Sequence, residues 1–141
     1  MFTILCVDDE RRILELHRAL LEQAGYNVLT ATDGRTGIAV ARKQLIHAAV
    51  LDFDMRSMRG DEVAEILIKE QPQLPIIICT GLVDEIPEWL KWFAAGIAYK
   101  GDGPQALLST VQQCLQRFPA RASVRNSTSV TLPSNLGRRA S

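Results

Sequence analysis

The chain of 141 residues lacks any apolar run long enough to span a membrane, which takes about 20 residues. Its start, "MFTILCVDDE", lacks a basic stretch and reaches acidic residues at position 8, so no signal peptide is expected. Cysteine is scarce: Cys6, Cys79 and Cys114 are odd in number and have no metal-ligand spacing. Cys6 and Cys79 sit inside apolar runs and read as small buried thiols of a reducing compartment. The two histidines, His17 and His47, are far apart without partner ligands and read as surface or packing residues. No internal repeat is present. Residues 120–141 contain Arg121, Arg125, Arg138 and Arg139 but no acid. Setting those four aside leaves 12 of the 16 basic residues against 16 acidic ones, so the body is mildly acidic. That balance argues against nucleic acid as a partner.

What is present is an ordinary apolar content of 47% with 23% charged residues, enough to bury the core of one domain. Short apolar runs alternate with amphipathic stretches. "TILCV" (3–7), "YNVLTA" (26–31), "HAAVLD" (47–52), "IIICT" (76–80) and "IAYK" (97–100) predict strands. The stretches 11–25, 33–45, 61–71, 87–96 and 103–118 predict helices, with Gly25 ending the first and Pro87 and Gly96 bounding the fourth. Five such units predict an α/β fold, a doubly wound five-stranded parallel sheet covered by helices on both faces. Right-handed crossovers favour the flavodoxin-like strand order 2-1-3-4-5. After Phe118 periodicity stops, and residues 119–141 read as a mobile Ser/Arg-rich tail.

That strand order explains why "VLDFDMRSMRG" turns from apolar to acidic where a buried strand surfaces. Asp8 and Asp9 end the first strand, Asp52 the third, Thr80 the fourth and Lys100 the fifth. All strand ends of a parallel sheet share one rim, and neighbouring strands are about 4.8 Å apart. Three carboxylates so close repel one another, and a hard divalent cation such as Mg²⁺ relieves that repulsion. One oxygen of Asp52 then remains free as a nucleophile, with Lys100 and Thr80 placed to offset charge on, and bond to, an incoming phosphoryl group. The expected chemistry is phosphoryl transfer to Asp52, giving an acyl phosphate.

Over residues 2–118 the sequence resembles the receiver domain of two-component response regulators. "CVDDE" resembles the family's acidic pair, and "LDFDMRSMRG" its D-x-x-M-P-x-M-x-G loop, with Asp52, Met55, Met58 and Gly60 in register. "IIICTG" resembles the fourth-strand threonine segment, and Lys100 with "GDGPQAL" a K-x-x-x-P-x-x-L form. The resemblance implies Asp52 as phosphoacceptor, Thr80 as switch hydroxyl and Lys100 as phosphate-binding lysine. Mg²⁺ would lie on Asp8, Asp9, Asp52 and the backbone carbonyl of Asp54. It also implies a histidine kinase or histidine phosphotransfer protein as donor. Asp54 and Leu82, each two residues past a site residue, are expected to flank the phosphoryl group and tune water access.

Several positions depart from the pattern. Arg56 stands at the usual proline, Arg59 where Asp is common and Gly101 where Pro often follows the lysine. Ile97 occupies the position of the switch aromatic, and Tyr99 falls two residues later. The usual aromatic readout is therefore in question, although every phosphorylation residue is retained.

Two rival readings remain. One is a receiver-like binding module that is not phosphorylated. The other is a haloacid-dehalogenase-like phosphohydrolase, since "DFD" is also a D-x-D, although that class has it on the first strand. The preferred expectation is a stand-alone cytoplasmic receiver, not an enzyme beyond its own phosphoryl transfer and autodephosphorylation. Neither a helix-turn-helix pattern nor a catalytic motif follows Phe118. Output is then expected through protein contacts to a downstream target or a homodimer using helix 4, strand 5 and helix 5, with Trp89, Trp92 and Tyr99 contributing. No nucleic acid or membrane partner is expected.

Overall fold

A computed structural model describes residues 1–117. Five strands alternate with five α-helices: β1 (Thr3–Val7), α1 (Arg11–Gln23), β2 (Asn27–Ala31), α2 (Gly34–Lys43), β3 (Ala48–Asp52), α3 (Gly60–Glu70), β4 (Ile76–Thr80), α4 (Glu88–Phe93), β5 (Gly96–Tyr99) and α5 (Pro104–Arg117). Short 3₁₀ turns at Val83–Glu85 and Lys100–Asp102 flank α4 and β5. All strand pairs are parallel and the order is β2-β1-β3-β4-β5, as predicted. The expected tail, residues 119–141, lies outside the described residues.

The strands are apolar on both sides because both sides are covered. Leu5, Val7, Ala49, Leu51, Ile76 and Ile78 face one core with residues of α2, α3 and α4. Ile4, Cys6, Ala48, Val50, Ile77 and Cys79 face a second core with residues of α1 and α5. This alternation follows from the two-residue period of a strand. All three cysteines are buried thiols.

Local signals set the helix ends. The α1 helix closes with Gly25 at φ 101°, where a side chain would be strained. The Gly25 N–H donates to the Glu22 carbonyl and the Tyr26 N–H to the Leu21 carbonyl, which satisfies the end of the helix. At α2, the Asp33 carboxylate accepts from the Thr36 N–H at 2.8 Å, an N-cap worth about 1 kcal/mol. The Glu62 side chain of α3 reaches back to the Arg59 N–H at 2.9 Å.

The fourth helix differs from expectation. It ends at Phe93, and Gly96 opens β5 instead of terminating the helix. The Ala95 N–H donates to the Ile76 carbonyl at 2.7 Å, so pairing with β4 captures the chain early. Leu90 is the buried residue of α4, whereas Phe93 is largely exposed. Lys100 likewise lies in the 3₁₀ turn just past β5 and not in the strand.

Candidate functional site

The β1, β3, β4 and β5 ends bring Asp8, Asp9, Asp52, Thr80 and Lys100 to one rim. Asp8 and Asp52 are buried, each 2% exposed, while Asp9 is partly exposed. Asp8, Asp9 and Asp52 each offer a carboxylate oxygen within 4.8 Å of the others. Lys100 Nζ reaches across to Asp52 Oδ1 at 2.6 Å. Three carboxylates against one ammonium leave the cluster with a net negative charge.

The groups around these side chains are fixed by backbone. Asp8 Oδ1 accepts from the Glu10 N–H at 2.9 Å, and Asp8 Oδ2 is buried without a partner. Burial pushes the Asp8 pKa up to about 6; the Glu10 N–H opposes that rise, and the nearby Asp52 charge adds to it. Burial disfavours the Lys100 ammonium, but its contact with Asp52 and the charges of Asp52 and Asp8 outweigh this and raise its pKa. An orphaned oxygen beside crowded carboxylates is the environment a hard cation relieves, so the residues fit a divalent ion.

The loop that follows β3 is anchored on both sides. The Phe53 N–H donates to the Cys79 carbonyl at 2.8 Å. The Gly60 N–H donates to the Phe53 carbonyl at 3.1 Å. A Cβ on Gly60 would lie 2.6 Å from the Asp52 carbonyl oxygen, so glycine lets α3 start directly against the Asp52 backbone. Asp54 is exposed, with its N–H 3.4 Å from Asp52 Oδ1, a long contact.

Sequence reasoning missed two features. Arg56, noted only as a missing proline, donates its backbone N–H to Asp9 Oδ2 at 3.1 Å and ties the loop to the acidic pair. A proline has no N–H to do this. His17 is buried and lines a cavity of about 110 Å³ between α1 and α5, together with Lys100, Cys79 and Leu107. Burial lowers the His17 pKa, and the Lys100 charge lowers it further. His47 is buried too, and its Nδ1 accepts from the Thr3 N–H at 2.9 Å. The packing reading of both histidines therefore holds and the surface reading does not.

The family model for the response regulator receiver domain matches residues 4–112. The probable transcriptional regulatory protein TcrX of Mycobacterium tuberculosis is 36% identical over 94 residues, covering 67% of this chain and 40% of that protein. The chain thus spans less than half the length of this curated relative. The response regulator TrrA of Thermotoga maritima, solved with Mg²⁺ and BeF, superposes with a TM-score of 0.76 at 29% identity, covering 82% of this chain and 100% of TrrA. TrrA solved in complex with the histidine kinase ThkA gives a TM-score of 0.74 at 29% identity, covering 82% of this chain and 99% of that one.

Proposed function

The chain belongs to the response regulator receiver domain family, and from that premise we propose that Asp52 is the phosphoacceptor of a phosphorylation-dependent signalling switch. The observation that carries the assignment is Asp52 itself: buried, 2.6 Å from Lys100 Nζ and grouped with Asp8 and Asp9. The family match favours this reading over the phosphohydrolase. The donor is the phosphohistidine of a kinase or phosphotransfer protein, a reading supported by the kinase complex of TrrA.

Asp8, Asp9 and Asp52, with the Asp54 carbonyl, would hold Mg²⁺, which when bound supplies positive charge against the carboxylates and the phosphoryl oxygens. An Asp52 oxygen attacks phosphorus, the O–P bond forms as the donor N–P bond breaks, and the electron pair returns to the imidazole. Lys100 transfers its ammonium from Asp52 Oδ1 to a phosphoryl oxygen. The Thr80 hydroxyl leaves its own loop to donate to another. Hydrolysis of the acyl phosphate resets the switch, with Asp54 and Leu82 at the mouth controlling the approach of water.

Output proceeds in the cytoplasm through protein contacts, with helix α4, β5 and α5 as the responding face. Among the described residues no helix is long and apolar enough to cross a membrane. Incubation with acetyl phosphate and Mg²⁺, followed by intact mass, tests the assignment. One phosphoryl group should add, and none to Asp52→Asn or in the presence of chelator. Full labelling of Asp52→Asn would sink it.

A further inference from the structure

Four of the seven large apolar side chains exposed among the described residues lie in one segment. In the segment 82–93, Leu82 and Phe93 are each 61% exposed, Trp92 81% and Trp89 37%. The Trp89 and Phe93 rings contact at a centroid distance of 6.4 Å, so they form one surface. Leu90 alone in α4 is buried, and it suffices to seat this short helix on the sheet. A soluble surface rarely leaves so many aromatic groups in water without a partner.

The charges interleaved with these groups are mostly negative. Asp84, Glu85 and Glu88 are all exposed in the same segment. Its one cation, Lys91, pairs with Glu88 at 3.8 Å. Lys100, the next along the chain, is turned inward to Asp52. Carboxylates beside indole rings favour cations twice over, by Coulomb attraction and by contact with the ring faces. A second copy presenting this same acidic patch would be repelled.

We infer that the 82–93 face docks a basic segment of a partner protein, one whose Lys or Arg residues alternate with apolar side chains. The indoles of Trp89 and Trp92 take up the apolar and cationic groups, and the three carboxylates set the required charge. This rests on the reading of the chain as a switch with protein output, and names the chemistry of the partner. The face adjoins Thr80, whose hydroxyl contacts the Leu82 backbone, so its shape changes when that hydroxyl moves.

The test uses the full chain and a pair of synthetic amphipathic peptides, one of Lys and Leu and one of Glu and Leu. Trp89 and Trp92 are the only two tryptophans, so emission reports on the face directly. The basic peptide should produce a saturable shift that weakens with salt, as the screening length falls from about 10 Å at 0.1 M to about 3 Å at 1 M. Asp84→Lys with Glu85→Lys, and separately Trp92→Ala, should each weaken binding by about tenfold, the loss of one hot spot. For the Trp92→Ala variant Trp89 remains as reporter. Equal binding of the acidic peptide, no binding of either, or affinity unchanged in both variants would overturn the inference. So would a dimer in sedimentation that Trp92→Ala dissociates, because the occupant would then be a second copy. Phosphoryl labelling of Asp52 is measured on the same samples. Loss of labelling with peptide binding intact would fault the switch reading alone, and the reverse would fault the docking face alone.

Discussion

The Thr80 hydroxyl is folded onto its own loop: Thr80 Oγ1 lies 3.1 Å from the Leu82 N–H and 3.2 Å from the Leu82 carbonyl oxygen. The side chain that would receive a phosphoryl oxygen is therefore engaged before one arrives. Turning it toward Asp52 frees both Leu82 groups, and the loop leading to α4 must find new partners for them. The resting position of that loop is thus held in part by this hydroxyl.

Thr80→Val removes this hydroxyl while keeping the shape at a fully buried position. Acetyl phosphate should still label the variant, but beryllofluoride with Mg²⁺, expected to shift the tryptophan emission of the wild type, should leave that of the variant unchanged. A full shift in Thr80→Val, with the mimic shown to be bound, would separate the loop from this residue.

Lys100→Met keeps much of the aliphatic stem but removes the charge 2.6 Å from Asp52. The rate of phosphoryl uptake should fall by about 10²-fold, within the range expected for one donor to developing charge. Single-turnover labelling measures this. An unchanged rate would reduce Lys100 to a structural counter-ion of Asp52.

The raised pKa of Asp8, about 6 against 3.8 for the free group, sets a pH dependence of stability. Between those values the folded state binds more protons than the unfolded one, so this group's contribution falls as pH rises through about 4 to 6. The cost of charging it approaches about 2–3 kcal/mol above that window. Buried His17, with its lowered pKa, acts oppositely because the unfolded chain takes up its proton first. The difference between wild type and Asp8→Asn isolates the Asp8 contribution. Metal-free urea melts should show Asp8→Asn more stable near neutral pH and the difference vanishing below pH about 4. A destabilised variant at neutral pH would mean that the Glu10 N–H contact to the carboxylate outweighs the cost of burying its charge.

Gly60→Ala forces a methyl group to within 2.6 Å of the Asp52 carbonyl oxygen and the Phe53 Cα. Destabilisation of about 1–3 kcal/mol is expected from such overpacking. Labelling of the folded fraction should slow as well if the Asp52 backbone is what yields to the methyl group. Urea melts together with labelling kinetics check both. Wild-type values in each would show that α3 simply shifts away.

The strands were legible because burial on both faces forces unbroken apolar runs, as in Ile76–Ile78. The carboxylate row was legible because parallel topology converts distant sequence positions into neighbours. The end of α4 was not. "WFAAG" continues a helical pattern, yet Gly96 pairs with Ile77, and a Cβ there would strike Thr110 at 2.7 Å and Cys114 at 2.9 Å. That glycine serves the packing of α5, a contact no local pattern announces. Burial of His17 beside Lys100 was hidden for the same reason, since β5 and α5 lie far away in sequence. The Arg56 clamp on Asp9 was invisible because it uses a backbone N–H, which every residue but proline carries.

The site draws on the ends of four strands, from Asp8 to Lys100, and its one cation comes from just beyond β5 at the sheet edge. A chain emerging from the ribosome thus displays its acidic residues well before their counter-ion exists. A partly synthesised molecule has Asp52 without the Lys100 ammonium that pairs with it in the finished fold. If Asp52 is the acceptor, an unfinished molecule would compete only weakly with finished ones for phosphate, because the charge that speeds uptake arrives last.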